Sequence, residues 1–84
     1  MSPEDRKSVV ARVAKHFVDR AKAQQLKGKA RDRAAIEFVC GAAATAAVIH
    51  GDKSDEWSAL SMLAFFVSLE GFKHLEQRAA EVPA

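Results

Sequence analysis

The chain has 84 residues, of which 49% are apolar and 29% charged, with two prolines, four glycines and no tyrosine. That balance excludes a disordered or fibrous chain and favours helices over sheets. The formal charge of +2 hides an asymmetry: residues 1–33 carry ten Lys/Arg against four acids, and residues 34–84 carry three against seven.

Cys40 is the single cysteine, which excludes a disulfide framework and a zinc-type cysteine cluster. A small unstapled domain of this kind is expected in the cytoplasm, held by packing and self-association. The opening Met1-Ser2-Pro3-Glu4-Asp5 lacks the apolar stretch of a signal peptide. The longest apolar run, residues 38–49, is twelve residues long and contains Thr45. A bilayer crossing needs about 20 residues, so a buried helix and no membrane association are expected.

A first helix is predicted over residues 3–26. Ser2 is placed to cap it, Pro3 fits the first helical position, and Glu4 and Asp5 sit at the positive end of the helix dipole. Val9, Val10, Val13, Ala14, Phe17 and Ala21 share one arc at helical spacing, with Arg12, Lys15, Asp19 and Lys22 opposite. Gly28 is the predicted stop.

A second helix is predicted over residues 30–49. From Ala34 to Ile49 only Glu37 and Thr45 are polar, and a helix apolar nearly all round is expected to be covered nearly all round. Small residues between Gly41 and Ala47 suit close approach of another backbone.

The third helix, residues 54–80, starts on Ser54 with Asp55 and Glu56 in its first turn. Trp57, Leu60, Leu63, Ala64 and Val67 make one stripe, widened by Met62, Phe65, Phe66, Leu69 and Phe72. Gly71 is expected either to kink this helix or to admit a close crossing. Short connections give an antiparallel three-helix bundle in an all-α fold. Its second and third helices have too little polar surface for a lone bundle, so a homodimer through them is expected.

No constellation of residues points to catalysis, a cofactor or a metal. Cys40, among apolar neighbours, reads as a small buried hydrophobe. His16, His50 and His74 form no local motif; Glu70 and His74 at i, i+4 read as an exposed helix-surface hydrogen bond. Ser54, Ser58 and Ser61 lack a nucleophile elbow, and Lys27-Gly28-Lys29 lacks the frame of a phosphate loop.

Arg12, Lys15, Lys22, Lys27, Lys29, Arg31 and Arg33 gather around the first hairpin. They can meet an acidic protein or, in the alternative reading, the phosphates of a nucleic acid bound by a small dimer. Asp19 and Asp32 interrupt the basic run, and no aromatic stacking platform or helix-turn-helix pattern accompanies it.

The stretch Gly28-Lys29-Ala30-Arg31-Asp32-Arg33-Ala34-Ala35, continuing through Phe38 and Gly41-Ala42-Ala43, resembles one that recurs in small uncharacterised bacteriophage and prophage proteins. Val67-Ser68-Leu69-Glu70-Gly71-Phe72 is similar to their C-terminal part, so the resemblance spans residues 28–75. It implies a setting, a phage-type accessory protein that acts by binding, and carries over no functional residue. Arg31-Asp32 within it is expected to form an interhelical ion pair.

The resulting expectation is a non-enzymatic protein–protein interaction module. Trp57, Met62, Phe65, Phe66 and Phe72 are its expected contact anchors, because aromatic residues and methionine are enriched in interface cores.

Overall fold

A computed structural model describes residues 2–82. The chain is all-helical: the described residues form α1 (Pro3–Ala23), α2 (Gly28–His50), α3 (Asp55–Glu70) and α4 (Phe72–Ala79). Four helices stand where three were expected, because the third is divided at Gly71.

The expected start signals operate. The Ser2 side chain accepts the Asp5 N–H at 3.1 Å, and the Ser54 side chain accepts the Trp57 N–H at 3.1 Å. The end of α1 differs from the expectation. The Leu26 N–H donates to the Ala21 carbonyl at 3.0 Å and the Gln25 N–H to the Lys22 carbonyl at 3.2 Å. These are the paired bonds of a Schellman motif, which needs a left-handed residue just past the cap. Gln25, not Gly28, occupies that position with φ 56°. Gly28, at φ 62°, instead opens α2 two residues earlier than predicted.

Gly71 both breaks the helix and admits a close approach. Its φ of 71° and ψ of −156° lie in a region that essentially only glycine occupies. A Cβ built on Gly71 would stand 3.2 Å from the Asp32 carboxylate. That carboxylate has work there: its Oδ1 accepts the Phe72 N–H at 3.0 Å, capping α4 from the first turns of α2. Beside it, the Arg31 guanidinium carbon lies 4.2 Å above the Phe72 ring. The Arg31-Asp32 pair therefore makes two separate contacts with α4, where an interhelical ion pair was expected.

One hydrophobic cluster joins the helices. α1 supplies Ala14, Phe17, Val18 and Ala21; α2 supplies Ala35, Val39, Ala43 and Ala46; Leu60, Leu63, Val67, Phe72 and Leu75 complete it. The alanines of α2 leave room for larger neighbours, and Phe17 meets both Phe38 and Phe72 at ring separations of 5.2 and 6.1 Å. Arg6–Asp55 at 3.2 Å and Lys7–Glu81 at 3.5 Å set the start of α3 and the residues following α4 beside the start of α1. Successive helices consequently reverse direction.

The outer side of α2 corrects two expectations. Cys40, Gly41, Ala44, Thr45, Val48 and Ile49 are exposed, so α2 is not covered all round and Cys40 is not buried. A Cβ on Gly41 would meet nothing within 4 Å, so no neighbour in the fold uses the space it leaves. At 23 residues α2 is also long and apolar enough in composition to cross a membrane. The twelve-residue apolar run over residues 38–49 is only part of its length. One side of α2 nonetheless lies in the shared core.

Candidate protein-interaction surface

α3 buries Ala59, Leu60, Leu63 and Val67 and turns a second apolar stripe outward. Met62, Phe65, Phe66 and Leu69 follow the spacing i, i+3, i+4, i+7 and therefore share one face. They remain 57, 56, 38 and 67% exposed, respectively. Phe65 and Phe66 touch edge to face with ring centroids 5.5 Å apart. No charged residue lies between Glu56 and Glu70 to break the stripe.

Of the five expected anchors, Met62, Phe65 and Phe66 thus fall together, and Trp57 is partly exposed near the start of the same helix. Phe72 does not join them. It is buried on the far side of the Gly71 break, held by Phe17 and Arg31. Leu69 was missed as an anchor, although its spacing from Met62 is the signal that identifies it. Val48 and Ile49, at the end of α2, are the other large exposed apolar side chains among the described residues.

Beside the stripe, α3 and α4 diverge from Gly71 and, with the start of α1, enclose a groove of about 680 Å³. Val10, Met62, Leu63 and Phe66 give it apolar walls, and Arg6, Lys7 and Arg78 also line it. Glu70 and His74 line it too: His74 Nδ1 and Glu70 Oε2 are 2.6 Å apart, and the imidazole stacks on Phe66 with a centroid separation of 5.3 Å. This hydrogen bond was expected at the surface. The break at Gly71 instead carries His74 under Phe66, so the imidazole is buried while Glu70 keeps half its side chain in water. The pair is not joined by a third His, Cys, Asp or Glu to make a metal-binding group among the described residues. His16 stacks on Phe38 at 5.8 Å, a packing role.

The seven expected basic contacts differ in their surroundings. Arg31 is committed to Phe72, Lys15 pairs with Asp19 at 3.0 Å, and Arg33 pairs with Glu37 at 3.5 Å. Arg12, Lys22, Lys27 and Lys29 are exposed, with no carboxylate partner among the described residues. They are spread over the outer side of α1, the connection and the start of α2. The stripe on α3 is the more concentrated feature.

The fold and its exposed face define an all-helical protein with an uncovered apolar stripe. Comparison of the chain with family models, curated proteins and solved structures gives no match.

Proposed function

We propose that this chain is a small non-enzymatic protein–protein interaction module that forms a homodimer through α2 and α3. The observation that supports this reading is the outward stripe of Met62, Phe65, Phe66 and Leu69, uncovered within the fold and uninterrupted by charge. Aromatic residues and methionine on a shared helix face are the composition of an interface core, and surfaces of this kind are normally covered by a partner. In the cytoplasmic, phage-type setting drawn from the sequence resemblance, the dimer acts as an accessory protein. Its remaining basic residues, Arg12, Lys22, Lys27 and Lys29, then face an acidic host protein.

The test is absolute mass by light scattering after size exclusion, over a hundredfold range of concentration. The expected result is twice the 9.1 kDa chain mass for the parent protein. The expected mass of Phe65→Glu with Leu69→Glu is that of a single chain, with unchanged helical circular dichroism, because both side chains are already exposed. A parent protein that stays monomeric at every concentration refutes the homodimer.

A further inference from the structure

From the outward stripe of α3 we infer that the dimer is an antiparallel pairing of α3 with α3 of a second copy, across a twofold axis between Phe65 and Phe66. This inference rests on the dimer reading above and adds its geometry.

The first ground is the symmetry of the stripe itself. The intervals from Met62 to Phe65, Phe66 and Leu69 read the same from either end. At 3.6 residues per turn, Met62 and Leu69 lie close to the stripe's midline, and Phe65 and Phe66 flank it on opposite sides. Rotation by a half-turn about an axis perpendicular to both helices therefore sets Met62 of one copy on Leu69 of the other, with Phe65 beside Phe65 and Phe66 beside Phe66 of the second copy. A twofold interface requires such self-complementarity, with residue i meeting j while j meets i. A partner with a different sequence imposes no such condition.

The second ground is area. Taking about 200 Å² for each large side chain, exposures of 57, 56, 38 and 67% leave roughly 400 Å² of these four residues uncovered. Two copies together contribute roughly 800 Å², most of the ~1,000 Å² that a specific interface must clear. The exposed Ser58 and Ser68 at its borders are suited to the polar rim.

The third ground is charge. Any charged residue at a twofold axis meets its own twin, and residues 57–69 contain none. Glu56 and Glu70 bound the stripe at its two ends, away from the axis. The groove fits the same arrangement: its wall of Met62 and Phe66 receives Leu69 and Phe66 of the second copy, so the apolar side of the groove is covered as the dimer forms.

Disulfide trapping tests the register. In a background with Cys40→Ser, three proteins are compared under mild oxidation: Met62→Cys, Leu69→Cys, and both together. Positions 62 and 69 lie about 10 Å apart along a helix. A disulfide needs Cα atoms about 4.4–6.8 Å apart. The double variant is expected to run as a covalent dimer on a non-reducing gel, and each single variant as a monomer. Single variants that cross-link to themselves overturn the antiparallel register in favour of a parallel one. A double variant that stays uncross-linked, while light scattering still reports a dimer, places the interface elsewhere and overturns this inference alone. A parent protein that is monomeric by light scattering overturns the dimer reading and the register with it.

Discussion

Replacing Gly71 by alanine should cost more than a helix break ordinarily costs, because two penalties act at one atom. The backbone at φ 71°, ψ −156° is strained for any residue with a Cβ, at about 1–3 kcal/mol. The added Cβ also stands 3.2–3.3 Å from Cγ, Oδ1 and Oδ2 of Asp32, so the whole carboxylate must retreat. Retreat takes it off the Phe72 N–H, and loss of a capping bond costs about 1–2 kcal/mol. Together these come to roughly 2–5 kcal/mol, against roughly 4–13 kcal/mol for a domain of this length. Urea unfolding followed by circular dichroism and by Trp57 fluorescence measures the loss. Asp32→Ala alone should cost about 1–2 kcal/mol. In that background Gly71→Ala should cost only the backbone strain, so the two losses should fail to add by about 1–2 kcal/mol. Additive losses, or a Gly71→Ala cost below about 0.5 kcal/mol, would refute the account of both residues.

Three further outcomes are expected. Gln25→Gly should stabilise the protein by about 0.5 kcal/mol, because the left-handed position after α1 penalises a side chain; a melting temperature raised by about 2–4 °C checks it. Leu75→Ala empties a fully buried site on α4 and should cost about 2–5 kcal/mol in urea unfolding. If the cations around the first hairpin serve a protein rather than a nucleic acid, labelled duplex and single-stranded DNA should bind weakly across a salt series. Lys27→Glu with Lys29→Glu should then leave the already weak binding unchanged, whereas a steep salt slope that flattens in this variant revives the nucleic-acid reading.

The starts of α1 and α3 were legible because capping is local: Ser2 and Ser54 act within three residues of their own positions. Ala14, Phe17 and Ala21 of the predicted arc are buried, since helical periodicity reports the inward face directly. The end of α1 was misread because Gly28 is the more willing left-handed residue, yet the chain turns at Gln25, where Leu26 can pack on the core. Gly71 stood out in the sequence as a kink or a close crossing, but the full division there was hidden because Phe72 and Leu75 prolong the helical pattern of α3 across it. Its cause lies at Asp32, 40 residues away from Phe72, which no local pattern contains. Cys40 was placed inside by the apolarity of its neighbours, but composition does not say which side of an all-apolar helix lacks a partner. On the stripe, Met62, Phe65 and Phe66 were legible from residue type and Leu69 from its spacing to Met62, while excluding Phe72 required knowing where the helix stops.

The mutual hold between the first turns of α2 and the start of α4 has a consequence for motion. An eight-residue helix has too few turns to persist in water alone, so α4 exists only while docked. α2 in turn begins on Lys27 without a side-chain cap and has no acid in its first turn to oppose its dipole. Two intrinsically weak stretches of backbone thus lean on each other through Asp32 and Phe72. Native-state hydrogen exchange should find the amides of residues 29–33 and 72–79 opening together, ahead of global unfolding, as one cooperative unit assembled from distant parts of the chain.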